Sequence, residues 1–127
     1  MVLFKITISV SIVGDSPFTV TITKMPVEKE TKEGFKVRYG GIVRTINKKQ
    51  VNNIIDKFEE DTQFISYAAF ADQKNLEIVK QYVTTLISDT IVAYKSNTET
   101  LIKHFNEGIK KHNLLQQWQH LKYFIMT

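Results

Sequence analysis

The first 23 residues alternate apolar and polar side chains so regularly that they restrict this part of the chain to a β-hairpin. Apolar residues occupy every even position from 4 to 12 and again from 18 to 22. Because successive side chains of a strand point to opposite faces, each segment has one apolar face. The intervening Gly14-Asp15-Ser16-Pro17 has the composition of a turn. We therefore predict a hairpin in which Ile12 pairs with Phe18.

A second hairpin is predicted around Gly40-Gly41. Apolar and basic residues alternate through 35–39, and Gly-Gly suits a type I′ turn because both of its central residues need a positive φ. This register places Arg44 opposite Val37, on an otherwise apolar face. Either the register differs, or Arg44 lies at the rim with a partner. The mixed-charge segment 24–34 is predicted to be a connector between the hairpins.

Helical spacing of apolar residues dominates the rest of the chain. Asn47 is a suitable N-cap, and the apolar residues after it predict a helix over 48–60. A second helix is predicted over 73–95, and two more are separated by a break near Asn113. Residues 62–71 are apolar on all sides, and periodicity does not distinguish a strand from a buried helix there.

These elements predict an α+β fold in a single domain over residues 1–127. The expected sheet is antiparallel and consists of two β-hairpins within residues 2–46, with 62–70 as an optional fifth strand. Three or four helices follow and pack on it. Strands that precede the helices, rather than alternating with them, argue against a parallel α/β fold.

Composition excludes several classes of protein and site. The 127 residues include no cysteine and no run of 18 apolar residues, which excludes disulfides, thiolate zinc sites and a transmembrane helix. Polar residues interrupt the first strand, whereas a signal peptide has a continuous apolar segment. We therefore expect a soluble protein without a membrane partner, located in the cytoplasm or inside a host cell.

No catalytic or metal-binding set is found in the sequence. Gly14-Asp15-Ser16 resembles the nucleophile block of the GDSL-type esterases, but here Pro17 and a strand follow instead of a helix, and no late Asp-x-x-His is present. His104, His112 and His120 recur every eight residues, which separates neighbouring imidazoles by about 12 Å along a helix, too far for one ion. We therefore predict a non-enzymatic protein with no metal and no cofactor.

Basic residues are concentrated in one quarter of the chain. Residues 24–49 have a net charge of +5, whereas the rest of the chain sums to −1. Such asymmetry indicates an acidic partner, and a nucleic acid fits if basic side chains bind phosphates while a ring stacks on a base. The candidate binding residues are Lys36, Arg38, Tyr39, Arg44, Lys48 and Lys49.

The predicted helices have more apolar surface than a small sheet covers. Aromatic residues and methionine are enriched in interface cores, and the interface candidates are Tyr82, Val92, Trp118, Tyr123 and Phe124. The leading hypothesis is a small binding protein that acts through protein–protein contacts as a homo-oligomer. The alternative is a nucleic-acid-binding module that uses residues 35–49. A third open class is a small enzyme or a small-ligand pocket without cysteine, which would need Arg44 or Tyr39 gathered with a distant carboxylate.

Overall fold

Six antiparallel strands form the sheet in the part of the chain that the structure describes. The structure is a computed structural model that describes residues 1–11, 17–60, 64–93 and 98–114. The strands are β1 (Val2–Ser11), β2 (Phe18–Glu30), β3 (Gly34–Tyr39), β4 (Ile42–Asn47), β5 (Ile54–Glu60) and β6 (Phe64–Asp72). They lie in the order β4-β3-β2-β1-β6-β5 and curl into a half-barrel. Two helices follow within the described ranges, α1 (Leu76–Ala93) and α2 (Thr98–His112).

The predicted α+β fold, with two hairpins and three or four helices, is therefore wrong, and the largest error is the helix expected over 48–60. Asn47 does cap a helical turn, because its side chain accepts a hydrogen bond from the backbone N–H of Lys49 over 2.9 Å. That turn is a 3-10 helix that ends at Gln50. Asn52 then has a φ of 65°, a left-handed conformation that an α-helix cannot continue through. The chain enters β5 instead.

Two other segments also add to the sheet. The connector predicted over 24–34 is wrong over most of its length, because β2 continues to Glu30. Its residues Met25 and Val27 are two positions apart, so they lie on the same face of the strand, and both pack in a core cluster. Most of β6 falls within the undecided segment 62–71, and this strand lies between β1 and β5. The sheet thus has six strands where four or five were expected.

The C-terminal helix prediction is confirmed in part. α2 ends at His112, and Asn113 has a φ of 52°, so the predicted break occurs where expected. The helix predicted after this break lies outside the described residues. Trp118, Tyr123 and Phe124, which are interface candidates, lie outside them as well.

The two hairpin registers differ in accuracy. The second is confirmed: Val37 opposes Arg44, and Gly40 and Gly41 have φ values of 62° and 76°, as a type I′ turn requires. In the first hairpin Val10, not Ile12, pairs with Phe18. A shift by an even number of residues keeps every side chain on its predicted face.

Apolar side chains are buried on both faces of the sheet. One face, which we call the helix face, packs against α1 and α2 and contains Ile6, Ile8 and Val10 of β1. Leu3 is an odd number of residues from Ile6, so it points to the opposite face. There it forms a second core with Met25, Phe35, Val37 and Ile46. We call this second surface the hairpin face because residues of β3 and β4 supply most of its core.

Asp72 connects the end of β6 to the start of α1 and to the turn before β5. Its carboxylate accepts hydrogen bonds from the backbone N–H of Asn75 over 2.9 Å and from the side-chain amide of Asn52 over 3.0 Å. Burial alone would raise the pKa of Asp72, but these hydrogen bonds outweigh it and hold the pKa below its usual value. The carboxylate therefore stays ionised and fixes the entry to α1 relative to the sheet.

Candidate functional site

The structure divides the predicted basic patch between the two faces of the second hairpin. Lys36 and Arg38 alternate with the core residue Val37, so they project from the face opposite the second core. Arg44 opposes Val37 and projects from the hairpin face. Lys49 is exposed in the turn that follows β4. The predicted residues therefore do not form one continuous basic surface.

Two of the predicted cations are paired with glutamates of β2. The guanidinium of Arg38 donates to the carboxylate of Glu28 over 2.7 Å, and the ammonium of Lys48 donates to Glu30 over 3.1 Å. Both pairs are exposed, so each stabilises the fold by less than about 1 kcal/mol. Their main effect is to reduce the positive field that a phosphate backbone would meet at this hairpin.

Arg44 and Tyr39 instead come together with Lys5, which the sequence analysis did not identify. The Lys5 ammonium lies 5.6 Å from the centre of the Tyr39 ring, and the Arg44 guanidinium lies 5.4 Å from it. All three line a pocket of about 50 Å³ on the hairpin face, with Met25, Val37, Ile46 and Phe70 as its other walls. The rim partner expected for Arg44 is thus the Tyr39 ring.

The two outermost strands of the sheet are the second prominent feature. Nothing in the described residues pairs with the outer side of β4 or of β5. Ile42 and Val43 of β4 are 57% and 43% exposed, and Phe58 of β5 is 53% exposed. Large apolar side chains therefore lie at both open edges.

Hydrogen-bonding groups of the β4 backbone also face outward. In a two-residue hairpin the residues that flank the turn exchange hydrogen bonds, and the pairs then alternate. Tyr39 and Ile42 flank the turn, so the next pair, Arg38 and Val43, is not hydrogen-bonded. The N–H and C=O of Val43 therefore point away from β3, toward the open edge, as those of Thr45 do.

The β5 edge differs from the β4 edge in its charge. Between 54 and 60 it has one lysine and three acidic residues. Glu59 accepts a hydrogen bond from the Tyr67 hydroxyl over 3.2 Å, and the Lys57 ammonium lies 5.9 Å from the centre of the Tyr67 ring. Burial and the charge of Glu59 raise the pKa of Tyr67 above its usual value. Tyr67 of β6 thereby contacts both Lys57 and Glu59, the charged residues of β5 on the helix face.

The outer surface of α1 is partly apolar, as the sequence pattern predicts. Ile78, Tyr82 and Val92 are 65%, 47% and 44% exposed, and helical geometry places Tyr82 and Val92 about 40° to either side of Ile78 around the axis. Tyr82 and Val92 thus lie on a free helix face within the described structure. Their role in an interface stays a prediction.

Two of the three histidines line a cleft beside Phe18. His104 donates from Nδ1 to the carbonyl oxygen of Ser11 over 2.7 Å, and the His112 ring stacks on Phe18 with 5.8 Å between ring centres. In the part of the chain that the structure describes, no three histidine, aspartate or glutamate side chains are gathered around a possible metal position. Neither α1 nor α2 is long and apolar enough to cross a membrane.

Comparison with known proteins does not identify a function for these surfaces. No protein-family model matches the chain, and neither a curated protein nor a solved structure shows significant similarity to it. The candidate site therefore rests on its geometry: two open sheet edges that bear apolar side chains, and a small pocket between Lys5, Tyr39 and Arg44.

Proposed function

We propose that the chain is a non-enzymatic binding protein that acts through protein–protein contacts and assembles as a homo-oligomer. The observation that carries this proposal is the pair of open strands at the two edges of the sheet, each with an exposed apolar side chain, Ile42 on β4 and Phe58 on β5. An open edge offers unpaired N–H and C=O groups to a further strand. Pairing through the backbone needs no catalytic group and no cofactor.

The β4 edge lacks most of the features that keep such edges apart. Natural edge strands are usually blunted by proline, a bulge, inward-pointing charge or a covering segment. β4 has an unbroken register with β3 from Gly34 to Tyr39 and contains one charged residue, Arg44. Its outward groups at Val43 and Thr45 are therefore available to a partner strand.

The test removes one outward N–H group from β4 and leaves the fold intact. Proline at position 43 loses a hydrogen-bond donor that β3 does not use, so Val43→Pro is compatible with an edge strand. We expect wild-type protein to sediment above the monomer mass, and V43P to shift the equilibrium to monomer with an unchanged circular-dichroism spectrum. The matched control is Val43→Thr, which keeps the N–H and the β-branched shape and should still self-associate.

A wild-type protein that stays monomeric at every accessible concentration would contradict the proposal. Equal self-association of V43P and V43T would show that β4 is not the contact, even if an oligomer forms. In that case the apolar outer surface of α1 becomes the next candidate, and Tyr82→Glu tests it directly.

The grouping of Lys5, Arg44 and Tyr39 favours a second candidate, nucleic-acid binding on the hairpin face. Two cations without a carboxylate partner in the described structure flank one aromatic ring. Proteins that bind single-stranded nucleic acids use such cations to bind phosphates and such rings to stack on bases. Under this function Arg44→Glu weakens binding of a fluorescent oligonucleotide on the order of tenfold. The control is Lys36→Glu, an equal charge reversal on the opposite face. Equal anisotropy titrations for wild type and both variants would rule the function out.

A further inference from the structure

We propose that the homo-oligomer is built head to tail: β4 of one copy pairs antiparallel with β5 of the next. This inference rests on the self-association proposed above and specifies its two surfaces. It is supported by strand direction, by charge and by the apolar residues at the two edges.

Strand direction allows this junction without turning either copy around. All five strand pairs of the sheet are antiparallel, and β4 and β5 are the outermost of six strands. Because the strand number is even, β4 and β5 run in opposite directions. A second copy in the same orientation therefore brings its β5 antiparallel to β4 of the first, and the alternation continues through the junction.

Charge favours β4 against β5 over either strand against itself. Residues 34–50, which include β3 and β4, contain five basic residues and no acidic one. Glu28 and Glu30 of β2 pair with Arg38 and Lys48, so Lys36, Arg44 and Lys49 carry the excess positive charge. β5 contains Asp56, Glu59 and Glu60 against Lys57. Pairing β4 with β4 brings two basic hairpins together, and pairing β5 with β5 brings two acidic strands together. Like charges across strands are destabilising and opposite charges are favourable, so only the mixed pairing is complementary.

One register of the mixed pair joins both the apolar and the charged residues. Ile42 and Arg44 lie on the hairpin face, opposite Tyr39 and Val37. Phe58 and Asp56 pair with Ser66 and Ala68, and these share the β6 face of Phe70, which packs in the second core. The four side chains thus belong to the same sheet face. Placing Ile42 beside Phe58 of the next copy places Arg44 beside Asp56 of that copy.

A head-to-tail contact determines the form of the assembly. Each copy donates β4 to one neighbour and β5 to another, so the chain of copies either closes into a ring or extends as a filament. The sheet curls into a half-barrel, and this curvature turns successive copies in one direction.

A charge exchange tests the pairing in the full chain. Arg44→Asp and Asp56→Arg each place like charges at the junction, and each should weaken self-association about tenfold in sedimentation equilibrium. The double variant R44D/D56R restores an opposite pair at every junction and should return to within about threefold of wild type. Lys29→Glu, an equal charge reversal at an exposed site of β2, is the control and should have little effect.

Cysteine cross-linking identifies which edges meet, because the chain has no cysteine of its own. Ile42→Cys and Phe58→Cys are prepared separately and oxidised alone or mixed. The mixture should give a disulfide-linked dimer, and neither variant alone should do so.

Each outcome of these two experiments either supports or overturns the head-to-tail pairing. The head-to-tail pairing is overturned if I42C alone cross-links as efficiently as the mixture. It is also overturned if R44D/D56R does not regain self-association. An oligomeric wild type whose mixture does not cross-link overturns this inference and leaves the proposed function standing. A strictly monomeric wild type overturns both.

Discussion

Replacing Phe105 with alanine is expected to lower the free energy of unfolding by about 3–5 kcal/mol. The Phe105 side chain is fully buried between α2 and the helix face, and its ring meets the Phe18 ring edge-on, with 6.3 Å between centres. Truncation to alanine removes this contact and leaves a cavity that the surrounding strands cannot close, because β1 and β2 are fixed by their ladder. Urea denaturation followed by circular dichroism measures the change.

The matched control is Phe58→Ala. Phe58 is 53% exposed at the outer edge of the sheet, so its truncation should cost less than about 1 kcal/mol in the monomer. The measurement is made at a dilution where the protein is monomeric, because F58A is also expected to weaken self-association. Equal loss of stability in F105A and F58A would mean that α2 does not seal the helix-face core.

The two hairpins were predictable because the information that forms them is local. Alternation with period two sets the buried face, and Gly40-Gly41 sets the turn of the second hairpin and with it the register. The first register was missed by two residues, since a longer connection does not fix which residues pair. The predicted face was nevertheless right for the described residues of both strands, because the shift is even.

β5 was not predictable in the same way, because its structure depends on distant residues. Val51, Ile54, Ile55 and Phe58 have helical spacing, and the capping box at Asn47 is real. The left-handed Asn52 stops the helix, and pairing with β6 then takes up the backbone hydrogen bonds. A local pattern that fits a helix is overridden when a neighbouring strand pairs with the backbone over most of the segment.

The candidate site shows the same division between local and distant information. The hairpin register alone places Arg44 on an apolar face, and the structure confirms that position. Lys5 belongs to β1, which β2 separates from β3, so its contact with Tyr39 depends on the order of the strands. In the sequence, the one sign of this position is that Lys5 is two residues from Leu3. The two side chains therefore share a face of β1, opposite the face of Ile6. The two open edges depend on strand order, which no local pattern reports.

Replacing Gly34 with alanine is the second change with a large expected effect, a loss of about 2–3 kcal/mol in the free energy of unfolding. Gly34 begins β3 opposite Asn47, and a Cβ atom built there overlaps the backbone carbonyl of Ile46. A backbone group cannot rotate away as a side chain does, so β4 must move outward from β3. Ile46, which is 3% exposed in the second core, would move with it.

A movement of β4 also alters the edge that the proposed assembly uses, so G34A is expected to lose self-association as well as stability. The matched control is Gly40→Asn, at a position with a φ of 62° and open space around a built Cβ. Asparagine tolerates the left-handed conformation and is favoured at this position of a type I′ turn, so G40N should stay within about 0.5 kcal/mol of wild type. Urea midpoints and sedimentation measure both effects. A G34A protein as stable as G40N would show that β3 and β4 lie far enough apart at Gly34 to accommodate a Cβ atom beside Ile46. The β4 edge would then lack the rigid support that strand pairing between copies needs.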